Sequence, residues 1–284
     1  MPKTILITGT SSGYGKATAQ LFLERGWNVV ATMRHPDPAV FGGASERLKV
    51  LPLDVTSEKS IADVIEAAVA AFGAIDVWVN NAGLGLASIV EATPDRTTRE
   101  IFETNTFGVI AACRAIIPSM RKQGRGVIVN VTSSVTVGVM PLVAIYAASK
   151  FAVEGFTESL SYELGAFNIK ARLVEPGYAP TTNFTANGTA RMEGLIPAEY
   201  TDFAQACFAR MANYPTAFCT EAEVAAAVYA AATDEGLRLR YPAGADTKFL
   251  ANLRWSTSEE HYQRTMHEAF GPRCTRDDGV VAVR

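Results

Sequence analysis

The chain has 284 residues, 48% of them hydrophobic, and a formal net charge of −3 with its lysines and arginines scattered along the sequence. This pattern argues against nucleic-acid or membrane-surface partners, while three histidines and four cysteines without a CxxC pair predict reduced thiols and no metal site. Gly9 interrupts the first apolar run too early for a signal peptide and no membrane-length run follows, so we expect a soluble, cytoplasmic protein.

Short apolar runs alternate with helical patterns along most of the chain. The apolar runs predict strands at Thr4–Thr8, Val29–Met33, Leu48–Leu53, Val77–Asn80, Val127–Thr132 and Ile169–Val174. Helical spacing predicts helices at Lys16–Arg25, Ile61–Phe72, Arg99–Arg121 and Val153–Phe167. Because most of the strands are apolar on both faces, we expect the α/β class, with a doubly wound parallel sheet of Rossmann type and helices on both faces.

The alternation ends after Gly177. Residues 179–218 are rich in threonine, asparagine, alanine and aromatic residues, and we expect them to form an inserted substrate flap within a single domain of residues 1–284. A helix over Glu221–Ala232, capped by Thr220, should follow, and then a last strand at Leu239–Tyr241. From about residue 242 to residue 284 we expect a C-terminal extension whose elements the pattern does not define.

The first strand runs directly into a glycine-rich turn, Thr8-Gly9-Thr10-Ser11-Ser12-Gly13-Tyr14-Gly15, and then into a helix. Glycines let the backbone approach a pyrophosphate closely, and a helix N-terminus supplies free N–H groups. Such a turn can also serve tight packing alone, but its position after the first strand favours dinucleotide binding. We therefore expect the cofactor to contact Gly9, Ser11, Ser12, Gly13, Tyr14 and Gly15.

The end of the second strand indicates which dinucleotide binds. The strand ends in Met33-Arg34, and no carboxylate follows before Asp37. A carboxylate here would bind the ribose hydroxyls of NAD, whereas an arginine can bind the 2′-phosphate of NADP in a bidentate manner. The sequence therefore favours NADP(H) over NAD(H), the alternative being that Arg34 is simply a solvated residue.

A tyrosine, a lysine and a serine form the candidate catalytic set. Tyr146 and Lys150 lie four residues apart at the start of a predicted helix, hence on one face. An ammonium beside a phenol lowers the phenol pKa from its usual value near ~10. This spacing is often incidental, but Ser133 directly follows the strand Val127–Thr132, at the sheet edge where ligands bind. We expect Ser133 to polarise a reacting oxygen, Tyr146 to transfer a proton, and Lys150 to tune Tyr146 and hold the ribose.

Taken together, these motifs resemble the short-chain dehydrogenase/reductase family in its single-domain branch. The resemblance covers about residues 3–181 and is carried by the glycine turn, by Ser133 thirteen residues before Tyr146, by Lys150 four residues after it, and by three further motifs. Those three motifs are Asn80-Asn81-Ala82-Gly83, Thr104-Asn105-Thr106-Phe107-Gly108, and Pro176-Gly177 with Thr181. A looser similarity at residues 8–34 and 239–271 indicates the group of 17β-hydroxysteroid and retinol dehydrogenases.

The resemblance implies further roles. Asn105 would hold a water that links Lys150 to solvent, Asp54 and Val55 would flank the adenine, and Thr181 would contact the nicotinamide carboxamide. The implied cofactor set also includes Asn81, Ala82, Gly83, Tyr146, Lys150, Pro176 and Gly177. The family's dimer contacts would fall on Arg99–Arg121 and Val153–Phe167 and imply a homodimer, with a homotetramer as the other expected state. Tyr14 replaces the family's usual isoleucine, and Ser12 stands where many NADP-dependent members carry a basic residue.

The segments expected to border the reacting carbon are mostly apolar. They are Leu84–Leu86, Val135–Val143 and the flap, whose apolar residues are Tyr178, Phe184, Met192, Leu195, Tyr200, Phe203, Phe208 and Met211, with Arg191 and Glu193 as nearby charges. Such a lining suits a hydrophobic ketone, aldehyde or alcohol, although the flap residues can equally pack on their own domain. Two other functions stay open, a redox-neutral epimerase on the same fold and a non-catalytic NADP(H)-sensing protein.

Overall fold

The computed structural model describes residues 2–43, 45–180, 182, 184, 188, 191–212 and 218–271. A seven-stranded parallel sheet with the order β3-β2-β1-β4-β5-β6-β7 forms its centre. The strands are β1 (Thr4–Thr8), β2 (Asn28–Met33), β3 (Leu48–Pro52), β4 (Val77–Asn80), β5 (Gly126–Val131), β6 (Ile169–Pro176) and β7 (Arg240–Ala243). The predicted parallel sheet is confirmed, and each predicted strand overlaps an observed one.

Helices lie on both faces of the sheet. They are α1 (Gly13–Glu24), α2 (Glu58–Phe72), α3 (Asp95–Phe102), α4 (Gly108–Gln123), α5 (Ala144–Gly165), α6 (Thr201–Ala212), α7 (Glu221–Thr233), α8 (Ala245–Ser256) and α9 (Glu259–Phe270). Phe22 of α1 and Val228 of α7 pack in one buried cluster, whereas Ile61 of α2, Ile116 of α4 and Leu160 of α5 pack in another on the opposite face. None of the helices in the described part of the chain combines the length and apolar character that a bilayer span requires.

The predicted helix at Arg99–Arg121 is not a uniform α-helix. Five residues, Glu103–Phe107, wind as a π turn between α3 and α4. Such a turn fits one extra residue into the helix and often lies at functional positions. Here it carries Asn105, which is fully buried beside Leu84 and Ser149.

The flap and the C-terminal extension contain helices that the sequence did not define. Within residues 179–218 the structure has α6, and beyond β7 it has α8 and α9. Leu250 of α8 and Met266 of α9 pack in one buried cluster with Val137, close to the carboxyl edge of the sheet. The helix predicted after Thr220 is α7, and Thr220 caps it, since its hydroxyl accepts a hydrogen bond from Glu223 N at 3.2 Å.

Candidate active site

A cavity of about 1030 Å³ opens at the carboxyl edge of the sheet. It is lined by most of the predicted site residues: Gly9, Ser11, Ser12, Gly13, Tyr14, Arg34, Asp54, Val55, Asn81, Ala82, Gly83, Ser133, Tyr146, Lys150, Pro176 and Gly177. Gly15 and Asn105 do not line the cavity. Thr181 falls outside the described residues.

The glycine turn packs so tightly against the end of β4 that side chains do not fit. Gly9 has a φ of +71°, and a Cβ there would lie 2.9 Å from Ala82 Cα. A Cβ on Gly15 would press on the Gly9 carbonyl oxygen and lie 2.5 Å from Asn81 Nδ2. The Asn81 amide donates to Thr8 O at 2.8 Å and to Gly9 O at 3.0 Å. The Asn81 side chain therefore holds the path of the turn beside the end of β4.

Tyr14 connects the glycine turn to the end of β6. Its hydroxyl donates to Gly177 O at 2.8 Å. Burial raises the pKa of this phenol above its ordinary value, and the nearby groups Cys219, Tyr146, Asp246 and Glu221 act in the same direction. Tyr14 is therefore a neutral donor that ties together two loops of the cavity wall.

Arg34 and Asp54 lie at the ends of neighbouring strands. The Arg34 side chain is exposed and lines the cavity, and within the described residues it makes no hydrogen bond or ion pair. The Asp54 carboxylate accepts hydrogen bonds from Thr56 N at 2.9 Å and from the Thr56 hydroxyl at 2.7 Å. These bonds, and the positive charge of Arg34, lower the pKa of Asp54. The Arg34 guanidinium is therefore open to an anionic group in this part of the cavity, beside the Asp54 carboxylate.

Tyr146 and Ser133 form a hydrogen-bonded pair inside the cavity. Burial raises the pKa of Tyr146 to about 12, although the hydrogen bond with Ser133 acts in the opposite direction. The predicted lowering of this pKa by Lys150 is therefore not seen, because burial sets the direction of the shift and Lys150 is not among the groups that change it. Ser133 Oγ also accepts a hydrogen bond from Val135 N at 3.3 Å, which orients the serine.

Lys150 is buried one helical turn after Tyr146. Its ammonium donates to Val131 O at 3.0 Å. Burial lowers its pKa to about 8, and the negative charge of Glu154 opposes that shift. Beside it, Asn105 accepts a hydrogen bond from Leu84 N at 2.8 Å and donates to Leu84 O at 2.9 Å. A Cβ on Gly83 would lie 3.3 Å from Asn105 Oδ1 and 3.4 Å from Lys150 Nζ, so these two groups flank the same glycine.

The part of the cavity next to Tyr146 is largely apolar. The Phe184 ring lies 5.8 Å from the Tyr146 ring, measured between centroids. The other apolar lining residues include Leu84, Leu86, Val135, Met140, Val143, Met192, Phe208, Met211, Leu250 and Phe270. Five residues that we expected in the lining do not line the cavity and instead belong to hydrophobic clusters that pack around it: Val137, Leu142, Leu195, Tyr200 and Phe203.

Two charged residues of the lining were missed by the sequence analysis. Glu100 forms an ion pair with Arg191 of the flap, with 3.4 Å between Oε1 and Nε. Asp246, in the first turn of α8, is buried and accepts a hydrogen bond from Tyr178 N at 3.1 Å. The burial of Asp246 could have been predicted from the sequence, because helical spacing places it on the same face as Leu250 and Leu253, which are buried.

Comparison with known proteins agrees with this geometry. The family model described as short chain dehydrogenase matches residues 3–192. The 3-ketodihydrosphingosine reductase of Bacteroides thetaiotaomicron is 41% identical over 186 residues, which cover 66% of this chain and 67% of that protein. Bovine retinol dehydrogenase 8 is 40% identical over 185 residues, covering 62% of this chain and 59% of that protein.

A solved structure of ElxO with NADP bound is similar to this chain, with a TM-score of 0.71 at 27% identity, covering 85% of this chain and 98% of that one. A solved structure of 3-ketoacyl-(acyl-carrier-protein) reductase from Brucella melitensis complexed with NADH is also similar, with a TM-score of 0.68 at 26% identity, covering 86% of this chain and 98% of that one. Both cofactors therefore occur among the similar structures. The chain belongs to the short-chain dehydrogenase/reductase family. It is an NAD(P)-dependent oxidoreductase.

Proposed function

We propose that this enzyme interconverts a hydrophobic ketone or aldehyde and its alcohol with NADP(H), using Tyr146 as the proton donor and acceptor. The observation that carries the proposal is the meeting of Ser133, Tyr146 and Lys150 with the glycine turn and an apolar wall in one cavity. A neutral phenol that is hydrogen-bonded to a serine and lies near a buried ammonium is suited to proton transfer.

Each catalytic residue has a role in the reduction. Ser133 and Tyr146 donate hydrogen bonds to the carbonyl oxygen of the substrate and polarise it. NADPH, when bound, supplies the hydride that the carbonyl carbon accepts. Tyr146 then gives its proton to the oxygen, and the Lys150 ammonium stabilises the phenolate that remains. In the oxidation the same groups act in reverse, and Asn105 supports the exchange of protons with solvent.

The cofactor cradle supports NADP(H). The absence of side chains at Gly9 and Gly15 leaves backbone donors at the N-terminus of α1, which suits a pyrophosphate. Arg34 makes no hydrogen bond or ion pair among the described residues and follows the end of β2, where a 2′-phosphate would lie. We assign Asp54 and Val55 to the adenine and Pro176, Gly177 and Thr181 to the nicotinamide end.

The lining next to Tyr146 supports a hydrophobic substrate. The Phe184 ring packs against Tyr146, and Met192, Phe208, Met211 and Leu250 line the same cavity. The charges of Glu100 and Arg191 are paired with each other. Two relatives are named for 3-ketodihydrosphingosine and for retinol, which belong to this class of substrate. The expected homodimer or homotetramer and the single-domain organisation remain predictions.

The first test measures the oxidation of NADPH through the loss of its absorbance, with uncharged ketones of increasing size as substrates. We expect turnover that favours the larger, apolar ketones. Tyr146→Phe should bind NADPH normally and lose about 10²–10⁴-fold in kcat, the usual contribution of general acid–base catalysis. Tyr162→Phe is the matched control, because Tyr162 lies on the same helix and is 80% exposed. Full activity of Tyr146→Phe would refute the proton-transfer assignment.

The same assay, combined with analysis of the products and with a measurement of NADPH binding, separates the two alternative functions. Isomerisation of an alcohol centre without net NADPH consumption would indicate a redox-neutral epimerase. NADPH binding without conversion of any ketone or alcohol would indicate a sensing protein.

The cofactor preference is tested with Arg34→Ala. Hydrogen bonds between charged groups contribute about 1.5–3 kcal/mol, so the Kd of NADPH should rise about tenfold to a hundredfold while that of NADH changes little. Arg47→Ala is the control, because it removes the same charge from an exposed residue that does not line the cavity. Equal losses for the two cofactors in Arg34→Ala would remove the argument for a phosphate at this position.

A further inference from the structure

A buried carboxylate that the proposed mechanism does not use lies one helical turn beyond Lys150. Glu154 is 5% exposed, and Tyr146, Lys150 and Glu154 follow each other at intervals of four residues on the buried face of α5. Residues spaced in this way are neighbours along a helix face. The Glu154 carboxylate therefore adjoins the Lys150 ammonium.

One oxygen of Glu154 holds the segment that carries Ser133. The Thr132 hydroxyl donates to Glu154 Oε1 at 2.7 Å. The Thr136 hydroxyl lies 3.2 Å from the same oxygen and 2.8 Å from Ser133 O, so it shares its proton between the two acceptors. Thr132 and Thr136 stand on either side of Ser133, and both are buried. The carboxylate thus fixes the backbone from which Ser133 reaches the cavity.

The other oxygen of Glu154 faces a group of charges further from the cavity. Arg240 Nε of β7 lies 3.2 Å from Glu154 Oε2, and Arg240 also binds Glu158 at 2.9 Å. Glu175 of β6 lies 3.7 Å from Arg240, and burial together with the charge of Glu154 raises the pKa of Glu175 to about 8. The charged and titratable groups around Glu154 are therefore Lys150 and Glu158 from α5, Glu175 from β6 and Arg240 from β7.

We propose that Glu154 is a positioning residue for the reaction, which holds the Ser133 segment in place and keeps a negative charge beside the Lys150 ammonium. The inference rests on the proposed function, since it acts through Ser133, Tyr146 and Lys150. Glu154 touches neither the substrate nor the cofactor, because it does not line the cavity.

The charge of Glu154 has a consequence that can be measured as a pH profile. A neutral glutamine at position 154 still offers an oxygen to the Thr132 hydroxyl but no longer favours the ammonium. Lys150 would then lose its proton at a lower pH, and with it the stabilisation of the Tyr146 phenolate that forms during reduction. The decline of the reduction rate on the alkaline side should therefore begin at a lower pH.

The experiment compares Glu154→Gln with Glu158→Gln in steady-state ketone reduction across pH. Glu158→Gln is the matched control, because it removes the other hydrogen-bonded carboxylate from Arg240 and leaves Thr132 and Lys150 untouched. We expect the alkaline limb of kcat to move down by about one pH unit in Glu154→Gln, the shift that an opposite charge at this range produces. The Kd of NADPH should be unchanged, and Glu158→Gln should keep the wild-type profile. Equal shifts in the two variants would overturn the proposal.

A second pair of variants tests the hold on Ser133 and decides the question if Glu154→Gln does not fold. Thr132→Val removes the hydroxyl that reaches Glu154 and should lower kcat about fivefold without moving the pH profile, as expected for one hydrogen bond of about 1 kcal/mol. Thr132→Ser keeps the hydroxyl and should have the wild-type kcat. Unchanged kcat in Thr132→Val would overturn the positioning role even if Glu154→Gln is unstable.

Tyr146→Phe, measured alongside, separates failure of this inference from failure of the proposed function. Wild-type behaviour of Glu154→Gln and Thr132→Val with an inactive Tyr146→Phe would overturn this inference alone. An active Tyr146→Phe would overturn the proposed function and this inference with it.

Discussion

The bond between Tyr14 and Gly177 offers a direct test of how the cavity wall is held together. Tyr14 belongs to the glycine turn after β1 and Gly177 to the turn after β6, and the phenol donates to Gly177 O at 2.8 Å. Tyr14→Phe removes one oxygen atom and keeps the ring. The variant should therefore loosen the link between the two turns without creating a large cavity.

The magnitude follows from the type of bond. Burial raises the pKa of the Tyr14 phenol, so the hydroxyl is neutral and the bond joins two uncharged groups. The net contribution of such a bond is about 1 kcal/mol. If the bond holds the glycine turn in its binding geometry, this energy corresponds to about a fivefold rise in the Kd of NADPH. If it supports folding alone, it corresponds to a fall of about 2–4 °C in Tm.

We expect the rise in Kd, because both turns line the cavity. The assay is titration of the protein with NADPH by fluorescence or calorimetry, together with a thermal melt of the free protein. Tyr241→Phe is the control, since its hydroxyl donates to Asp234 at 2.7 Å and Tyr241 does not line the cavity. That variant should lower Tm and leave the Kd alone. A Tyr14→Phe variant with wild-type Kd and a lowered Tm would refute the reasoning.

Two further predictions concern the turn after β6 and the buried carboxylate next to it. Gly177→Ala should lower Tm, because a Cβ at this position would overlap both carboxylate oxygens of Asp246, and such overpacking costs about 1–3 kcal/mol. In a double-mutant cycle, adding Asp246→Ala should recover part of this loss. Losses of stability that simply add would contradict the overlap. Glu175→Gln should gain stability relative to the wild type as pH rises from about 5 to 8, measured as the difference in Tm between the two proteins. The pKa of Glu175 is raised from 4.5 to about 8 in the folded protein, so the wild type loses stability as pH rises through that window. A difference in Tm that does not change with pH would contradict the assigned pKa.

The sheet could be predicted from the sequence because its signals are local. Each strand is a short apolar run, and the patterns of α1, α2 and α5 fill the gaps between runs. The motif residues Ser133, Tyr146 and Lys150 lie in order along the chain, and the fold brings them to one cavity. The parallel order of the strands follows from helical crossovers, so these positions at the carboxyl edge were predictable.

Signals in the sequence are weaker where packing rather than local pattern determines the structure. The π turn at Glu103–Phe107 adds no residue type that distinguishes it from an α-helix. In α9, Tyr262, Met266 and Phe270 recur at intervals of four residues and are all buried, so a helix could have been predicted from that spacing. The raised pKa of Tyr146 was not predictable from its neighbours in sequence, because it depends on burial of the side chain in the folded protein.

The geometry of the site depends on a segment that carries no motif. Asp246, from α8, accepts the hydrogen bond of Tyr178 N and fills the space that a side chain at Gly177 would need. Gly177 in turn accepts the bond from Tyr14, so the glycine turn, the turn after β6 and α8 form one connected wall. A chain ending before α8 would keep every sequence motif and lose the group that fixes Tyr178. The motifs therefore identify the chemistry, while α8 helps to set the shape of the cavity in which that chemistry takes place.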